Sequence, residues 1–444
     1  MNKITIIFFL LVIKIQAQEI KSLTLKDVIT YALENKADAK KAKLKVENSE
    51  YQIQEVRSRA LPQISVNGGL TYNPILQTTV IDGAIFGQPG TIIQADFGQK
   101  WSSVAGVSLT QNLFDQSIFT GLKAAKSSRE FFQINQQLTE EQVIERVANA
   151  YYRIFVTKLN LKTIEKNIEN TNKVKNIIKG LYDNGLSKKI DLDRISVRVS
   201  NLNTQRKQIV NAIELQENVL KFYMGMPIET KISLQQMAFE ISIQTMEEGP
   251  NTEKRTEYIL LKKNEELLEF QKKSIEANYY PTLSLTGNYN YFGQGSKIPL
   301  GGSNSDGVYW SDFSSIGLNL RIPIFSGFET KARVRQAEIN LKSIKLDLED
   351  TKLALNLAYE NAKKQIDNSL ETINSQKENT QLAQEVLDNT KNNYLQGLAS
   401  LTDLLDAENA NVEAQNNYNA AVLQYKLAEI QLLKSKGELK ILTK

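Results

Sequence analysis

Carboxylate side chains carry most of the chemistry that this sequence could perform. The chain has 444 residues, with no histidine and no cysteine. The absence of histidine excludes Ser-His and Cys-His catalysis and the imidazole ligands of most transition-metal sites. The absence of cysteine excludes disulfides, thiolate chemistry and the usual structural zinc sites, so we expect no metal and no cofactor. Among the remaining acids, Asp403 and Asp406 are three residues apart and therefore share one face of a helix.

These acids allow two interpretations from the residues alone. A pair of carboxylates can serve a hydrolase, but Asp403 and Asp406 lie one helical turn apart with no cleft indicated around them. Asp191 and Asp403 also begin predicted helices, where the helix dipole favours a carboxylate. Solvated residues at helix starts are therefore the simpler interpretation, and we expect no enzyme.

The N-terminus has the pattern of a secretory signal peptide. Lys3 precedes an apolar core of ten positions, 4–13, that includes Thr5, and Ala17 ends a short segment that resembles a cleavage site. A core of ten positions is too short to span a bilayer, and no later apolar segment approaches 18 residues. We therefore predict a signal peptide at 1–17, export of the rest, and no transmembrane helix. The sequence has no concentrated basic face, so we expect no nucleic-acid binding.

Long helices are predicted from proline placement and heptad spacing. No proline lies between Pro89 and Pro227, and none follows Pro323. An interior proline costs about 3 kcal/mol in a helix, so these stretches permit uninterrupted helices. Apolar or alanine residues recur there at steps of three and four, in seams at 143–168, 192–220 and 407–428. Such seams indicate coiled-coil packing, with ordinary amphipathic helices on a globular core as the alternative.

Four other segments alternate apolar and polar residues with a period of two. They lie at about 62–73, 102–114, 281–292 and 314–325. Each has the length of a tilted membrane-spanning strand, with one apolar and one polar face; Arg321 belongs to the polar face. A half-buried sheet in a soluble sandwich would show the same alternation.

Aromatic residues at the ends of these segments favour membrane strands over a soluble sandwich. Two aromatic levels that flank an apolar band are typical of the two interfaces of a membrane barrel. The first level comprises Tyr72, Trp101, Tyr291 and Trp310, and the second comprises Phe114, Tyr279, Tyr280 and Phe325.

The sequence also repeats internally. Segment 61–68 aligns with 280–287, segment 108–115 with 319–326, and the Gly-Leu turn at Gly185 with that at Gly397. Each half therefore runs helix, strand, loop, strand, very long helix, turn, helix. About 70 helical residues at about 1.5 Å each reach about 100 Å, which implies a device that extends far from the membrane.

The two-fold repeat, the strand starts at Pro62 and Pro281, and the turn GLASLTDLLDA at 397–407 closely resemble TolC-family outer-membrane efflux proteins. The resemblance covers essentially all the mature chain. It implies a mixed α and β membrane protein, in which three chains each give four strands to one 12-stranded outer-membrane barrel, continued by an α-helical periplasmic tunnel. The sequence independently requires some assembly, because four strands cannot close a barrel and lipid does not tolerate open edges.

The resemblance also implies a division of the chain and roles for residues at the turns. We expect a first repeat at 18–224, an equatorial linker at 225–250, a second repeat at 251–436 and a short tail at 437–444. Asp403 and Asp406 match aspartates of the family's narrowest ring, and Asp191 and Tyr394 match its closing network. An arginine of that network is replaced by Ala399, and the positions that could substitute for it are Lys188 and Lys189.

The expected function is a passive exit duct of a tripartite efflux pump or type I secretion system. The duct would lie in the outer membrane of a Gram-negative bacterium, with its helices in the periplasm. Its partners would be a periplasmic adaptor and an inner-membrane transporter of the RND or ABC type, and its cargo small toxic solutes or exported polypeptide. The alternative is a structural coiled-coil surface protein or adhesin, which would need neither the polar strand face nor the acidic turn.

Overall fold

The computed structural model describes residues 22–235, 251–301, 304 and 307–443. The predicted signal peptide 1–17 and the segment 236–250 of the predicted linker lie outside the described residues. The chain divides into two compact units. We call 44–134 with 260–349 the sheet unit, and the rest of the chain the helical unit. Within the described ranges, no helix is both long enough and apolar enough to cross a membrane.

Eight strands and seven helices make up the described part of the chain. The strands are β1 Ser22–Leu23, β2 Gln63–Tyr72, β3 Gln77–Asp82, β4 Ile92–Phe97, β5 Trp101–Phe114, β6 Ser233–Leu234, β7 Thr282–Gly295 and β8 Val308–Arg321. The helices are α1 Leu25–Asn35, α2 Ala37–Ser58, α3 Gln116–Asp183, α4 Lys189–Met224, α5 Thr256–Glu276, α6 Glu329–Leu395 and α7 Leu401–Lys436. The mixed α and β fold predicted from the sequence is confirmed.

A four-stranded antiparallel sheet is the main feature of the sheet unit. Its strands lie in the order β2, β5, β7, β8, so β2 and β8 each have one edge without a partner strand in this sheet. The first three strands lie within three residues of the bounds that alternation predicted. Between β2 and β5, strands β3 and β4 pair as a hairpin inside a segment that sequence reasoning treated as a loop.

The prediction of the fourth strand, at 314–325, is wrong at both ends. β7 extends to Gly295, which pairs with Val308, so β8 begins six residues earlier than predicted. At the other end, β7 begins at Thr282 after a proline, and Thr282 pairs with Arg321. Residues 322–325 therefore have no partner strand in β7, and Pro323 lacks the N–H that a ladder requires.

The two long helices and their partners repeat in length, as the internal repeat of the sequence requires. α3 has 68 residues and α6 has 67, while α4 and α7 have 36 each. α3 lies in the proline-free stretch before residue 227, and α6 follows the last proline. Each long helix therefore runs without the hydrogen-bond loss that an interior proline would cause.

Three apolar clusters form the core of the helical unit. The largest joins α1, α3, α4 and α7 around residues such as Ile29, Tyr151 and Leu220. A second joins α6 and α7 through Tyr359 and Tyr425, and a third lies near the two helical turns. The short C-terminal tail, from which the sequence led to no inference, packs Leu439 into the first cluster.

Candidate functional site

The register of the four-stranded sheet separates an apolar face from a polar face. Tyr72 pairs with Trp101, and from there every second residue of each strand falls on the same face. On β8 this face carries Ile316, Leu318 and Leu320, whose exposures are 86%, 68% and 59%. An apolar face that remains this exposed in one chain is suited to contact with lipid.

The opposite face of the sheet is polar over most of its length. Ser65 and Ser108 share a hydrogen bond of 2.7 Å across β2 and β5. The Asn288 Nδ2 donates to Ser315 Oγ at 3.1 Å across β7 and β8. Arg321 lies on this face because it pairs with Thr282. Hydroxyl, amide and guanidinium groups are readily hydrated, so this polar face is suited to line an aqueous passage.

The first aromatic level occupies one end of the sheet, with a spread of several residues. The Tyr72 and Trp101 rings lie 4.5 Å apart between centroids, and the Tyr291 and Trp310 rings stack at 4.8 Å. Tyr291 pairs with Ala105, four residues along β5 from Trp101, so the four rings do not share one level. They form a band about four residues deep along the strands.

The second aromatic level lies at or beyond the opposite strand ends. Phe114 is the last residue of β5, and it pairs with Leu283 after a bulge that makes Leu113 an extra residue. Tyr279 and Tyr280 precede β7 and are about half exposed. Phe325 follows the end of β8 by four residues and packs edge-on against Phe328 at 5.3 Å, so its placement at a strand end is corrected.

One acid lies on the apolar face and was not noted from the sequence. Asp312 pairs with Tyr291 on that face, and the Tyr289 hydroxyl donates to Asp312 Oδ2 at 3.2 Å. Asp312 lies at the depth of the first aromatic band, where polar groups reach the interfacial layer. On this face of β8 the uninterrupted apolar residues therefore begin at Ile316, after Asp312 and Ser314.

The two turns that end the long helices have the same geometry. After α3, the Gly185 N–H donates to the Tyr182 carbonyl and Leu186 N–H to the Leu181 carbonyl. After α6, Gly397 and Leu398 repeat both bonds with Tyr394 and Asn393 as acceptors. Gly185 has φ +75° and Gly397 has φ +73°, a left-handed conformation that glycine adopts without strain. The repeat therefore places equivalent helix starts, α4 and α7, directly after equivalent turns.

An apolar cluster, which we call the tip core, holds these helix ends together. It joins all four helices of the two hairpins in the helical unit. Its buried members are Val174, Ile178, Ile195, Leu387, Leu401, Leu404 and Ala407. Leu404 is fully buried, whereas Asp403 and Asp406 are exposed on either side of it. The start of α7 thus buries one face and presents both acids to the surroundings.

Asp403 has a structural role at the start of α7. The Ser400 N–H and hydroxyl donate to Asp403 Oδ2 at 2.8 Å and 2.7 Å, and the Asp403 N–H donates to Ser400 Oγ at 3.2 Å. These reciprocal bonds form a capping box. Donation by the Ser400 hydroxyl and N–H lowers the pKa of Asp403. Asp406 lies outside this box.

Asp191 lies close enough to Tyr394 to act electrostatically on its hydroxyl. Asp191 is in the first turn of α4, and Tyr394 packs against the tip core near the end of α6. Burial raises the pKa of the Tyr394 hydroxyl, and the nearby Asp191 carboxylate raises it further. The Asp191 carboxylate of one hairpin therefore lies near the Tyr394 hydroxyl of the other.

The two lysines proposed as substitutes for the missing arginine are exposed at the start of α4. Lys188 is the N-cap residue of that helix, and Lys189 follows it. A different basic residue joins the hairpins: the Arg194 Nη1 donates to Thr402 Oγ1 at 3.4 Å. Sequence reasoning missed this contact, because Arg194 lies on the other hairpin from Ala399.

A buried polar cluster borders the tip core and was also missed. Thr171 Oγ1 contacts Asn167 Oδ1 at 3.3 Å and donates to Glu408 Oε2 at 3.2 Å. Burial raises the pKa of Glu408, although Thr171, Arg198 and Lys391 all act in the opposite direction. Burial also lowers the pKa of Arg198. The three- and four-residue spacing from Ile164 through Thr171 to Ile178 was a signal that could have placed Thr171 in the seam.

These residues do not form a metal site. Over the described ranges, no group of three or more His, Cys, Asp or Glu residues is placed to hold a metal ion. The helical unit instead presents two exposed carboxylates at the start of α7, a helix that also contributes to the buried tip core. The sheet unit presents an apolar face that is suited to contact with lipid.

Comparison with known proteins identifies a family. The family model described as outer membrane efflux protein matches residues 28–225 and 267–438, so it covers both repeats. The chain is 22% identical over 389 residues to the outer membrane protein TolC of Vibrio cholerae, covering 86% of this chain and 83% of the relative. It is 23% identical over 393 residues to the alkaline protease secretion protein AprF of Pseudomonas aeruginosa, covering 85% and 76%.

Solved structures show the same fold. The outer membrane protein VceC of Vibrio cholerae superimposes with a TM-score of 0.73 at 16% identity, covering 93% of this chain and 96% of that one. The open state of the Neisseria gonorrhoeae MtrE outer membrane channel gives 0.72 at 17% identity, covering 95% and 90%. The chain belongs to the outer membrane efflux protein family, exit channels of the Gram-negative outer membrane whose helical part lies in the periplasm.

Proposed function

We propose that this protein is the passive exit duct of a tripartite efflux pump or type I secretion system, gated at the helical turns. Three chains would close one 12-stranded barrel through the open edges of β2 and β8, since lipid does not tolerate unpaired strand edges. The apolar sheet face would contact lipid and the polar face would line the passage. The duct performs no catalysis and needs no cofactor.

The partners would be a periplasmic adaptor and an inner-membrane RND or ABC transporter. This chain carries no phosphate-binding loop that could supply energy, so the transporter would drive export. The family's description as efflux proteins supports small toxic solutes as cargo, and the likeness to the alkaline protease secretion protein AprF supports an exported polypeptide.

The observation that carries the gating proposal is the pair of exposed aspartates beside the tip core. Asp403 and Asp406 lie three residues apart at the start of α7 and are both exposed, while Leu404 between them is buried. In a trimer six carboxylates would crowd a narrow bore. Rings of acids favour cations, and a multivalent cation interacts with several at once.

The experiment is single-channel recording in a planar bilayer, with a trivalent cation added at the periplasmic side. We expect cation selectivity and block of the wild-type channel. The block should weaken as salt is raised, because exposed charges are screened within about 8 Å at physiological ionic strength. Block should be lost when both Asp403→Asn and Asp406→Asn are present.

The capping role of Asp403 requires a cleaner variant and a matched control. Asp406→Asn alone removes one carboxylate per chain without touching the capping box, and it should weaken the block. Asp193→Asn removes an exposed acid at a similar distance from the other turn, and it should leave the block unchanged. A wild-type channel insensitive to the trivalent ion, or equal effects of both single variants, would overturn the constriction.

A further inference from the structure

A small pocket lies at the end of the sheet where the long helices begin. It has a volume of about 200 Å³ and lies between the segment that precedes β7 and the segment that follows β8. Its lining includes Asn278, Tyr279, Ile324, Ser326, Phe328 and Lys331, and we call it the rim pocket. Pockets that enclose drug-sized molecules measure about 300–1,000 Å³, so the rim pocket has room for only part of a larger ligand, such as a head group.

One wall of the rim pocket is apolar and open to the surroundings. Ile324 is 95% exposed and Phe328 is 67% exposed. The Phe328 ring packs edge-on against Phe325, which also lines the pocket. These residues follow Leu320, the last residue of the apolar face of β8, within eight positions. The wall therefore continues the apolar surface that is suited to contact with lipid.

The rest of the lining is polar and carries an unpaired cation. Lys331 is exposed and takes part in no ion pair or hydrogen bond within the described ranges, whereas the two arginines that follow it on α6 each pair with a glutamate. Asn278 adds an amide and Ser326 a hydroxyl, both of which can donate hydrogen bonds. Of the described residues that line the pocket, none is acidic. A positive charge with neutral donors beside it suits an anion.

The first repeat has an equivalent turn between strand and helix. The internal repeat aligns Asp115 with Ser326. Backbone hydrogen bonds agree with this alignment, because the Ile118 N–H donates to the Asp115 carbonyl and the Glu329 N–H donates to the Ser326 carbonyl, both at 3.1 Å. The side chains of the two turns can therefore be compared position by position.

A carboxylate occupies this turn in the first repeat but not in the second. Asp115 Oδ1 accepts from the Ser117 N–H at 2.8 Å and from the Ser117 hydroxyl at 2.6 Å. The equivalent N–H belongs to Phe328 and has no acceptor in the part of the chain that the structure describes. Thr120, the equivalent of Lys331, is uncharged and buried. The second repeat therefore lacks the anion of the first and has gained a cation, so an anion from outside the chain would satisfy both differences.

The depth of the rim pocket indicates where that anion comes from. Tyr279 and Phe325 line the pocket and belong to the second aromatic level, and aromatic residues of membrane barrels lie among the lipid head groups. The long helices leave the sheet at this end, which places the pocket on the periplasmic side. A free anion would gain nothing from the apolar wall, whereas a lipid has both a charged phosphate and apolar chains.

We propose that the rim pocket binds the phosphate group of a phospholipid of the periplasmic leaflet. Lys331 supplies the counter-charge, Asn278, Ser326 and the Phe328 N–H supply hydrogen bonds, and the acyl chains lie along the wall that contains Ile324. Basic pockets at the membrane surface bind lipid head groups by the same chemistry. Each chain binds one such lipid, at the start of α6. The first repeat binds none, because Asp115 already provides the negative charge there.

Native mass spectrometry of the delipidated full-length protein in detergent tests this proposal by counting bound lipids per chain. The probe is dioleoyl phosphatidylglycerol. Dioleoylglycerol has the same acyl chains without the phosphate, and inorganic phosphate has the charge without the chains. We expect about one tightly bound phosphatidylglycerol per chain, weaker binding of dioleoylglycerol, and no displacement of the lipid by inorganic phosphate.

A lysine substitution and its matched control locate the site. Lys331→Gln should weaken the tight binding by about fivefold, because it removes one positive charge next to the phosphate. Lys342→Gln should leave binding unchanged. Lys342 is an exposed lysine on the same side of α6, about three turns and about 16 Å further from the sheet, and it has no ion pair among the described residues.

Ser326→Asp tests the same site without loss of a side chain. It gives the second repeat the carboxylate of the first, which can accept from the Phe328 N–H and lies beside Lys331. This variant should retain the native size and thermal stability of the protein, since Asp115 is accommodated at the equivalent turn. It should lose the tightly bound lipid, because the internal carboxylate replaces the phosphate and repels it.

Loss of the tight lipid in Lys331→Gln and Ser326→Asp, with Lys342→Gln unchanged, would support the site. Equal binding by the wild type and Lys331→Gln, or retention of the lipid by Ser326→Asp at native size, would overturn it. Equal affinity for dioleoylglycerol would mean that the pocket makes only apolar contacts. Displacement of the lipid by inorganic phosphate would mean that the pocket is a site for free anions, which would also overturn the proposal.

Discussion

Arginine substitutions along β8 give the sharpest test of how the sheet faces the membrane. On the apolar face of β8, Ile316 lies four residues from Asp312, which is at the depth of the first aromatic band, and four from Leu320, the last residue of this face in the strand. Eight residues at about 3.3 Å each cover about 26 Å along the strand, or about 20 Å of height at a tilt of about 40°, which is most of the apolar band of about 25 Å in outer-membrane barrels. Ile316 therefore lies nearest the middle of the bilayer.

The expected cost of Ile316→Arg follows from this depth. Arginine on the lipid face costs about 2–4 kcal/mol at the midplane and about 0–1 kcal/mol near the interfaces. At about 1.4 kcal/mol per tenfold change, the unfolding equilibrium should shift by about 30-fold to 700-fold per chain. Leu318→Arg should cost less, and Leu320→Arg least.

Ser315→Arg is the matched control for these variants. Ser315 is adjacent to Ile316 in the chain but lies on the polar face, where its hydroxyl accepts from Asn288. An arginine there would lie in water, so assembly should be retained. The measurement is the amount of heat-stable oligomer in outer membranes, followed by urea unfolding of the protein in lipid vesicles.

Two results would refute this assignment of faces. Equal loss of oligomer for Ile316→Arg and Ser315→Arg would mean that the two faces do not differ in their surroundings. A cost that fails to decrease from Ile316 through Leu318 to Leu320 would mean that the apolar segment is not centred in the bilayer.

Three further predictions concern the helical unit. Tyr394→Phe and Asp191→Asn should each raise single-channel conductance without lowering oligomer stability, because the resemblance assigns both residues to the closing network and they lie near each other across the two hairpins; unchanged conductance in both would contradict that role. Glu408→Gln should increase the protection of backbone amides from hydrogen exchange near the two turns at neutral pH. Because burial raises the pKa of Glu408, the wild-type side chain destabilises the fold least when it is protonated. The gain in protection from Glu408→Gln should therefore shrink as pH falls toward about 4; a gain independent of pH would contradict the burial argument. Gly225→Ala should destabilise the fold by more than about 1 kcal/mol in urea titration, because Gly225 has φ +71° and a Cβ there would lie 2.8 Å from the Asn35 carbonyl oxygen; a neutral effect would contradict it.

The alternation of the strands was predictable because the period of two is fixed by strand geometry. The register pairs Ile64 with Leu109 and Leu285 with Leu318, so residues assigned to one face do lie together. The ends of the strands were less predictable, because a strand ends where the neighbouring strand no longer provides backbone hydrogen-bond partners. β8 ends at Arg321 because β7 begins at Thr282, which alternation in β8 alone could not reveal.

The tip was predictable in its helices and turns but not in its polar contacts. The equivalent glycines at 185 and 397 followed from the repeat, since both turns require a left-handed residue. Glu408 was not singled out, because its burial depends on which side of α7 faces α3. Asp403 was singled out by resemblance, and the structure adds its capping bonds with Ser400.

Matching single residues of a chain to those of its family is least informative where either of two facing helices can supply the hydrogen-bond donor. The resemblance placed an arginine opposite the first hairpin, and this chain has Ala399 at that position. The contact between the hairpins in this structure runs the other way, because Arg194 of α4 donates to Thr402 of α7. The requirement at such a place is a donor and an acceptor that span two helices, and either helix can supply the donor. When one hairpin lacks the donor, the donor is therefore expected on the facing surface of the other hairpin. In this chain that surface is the first turns of α4, which carry Arg194.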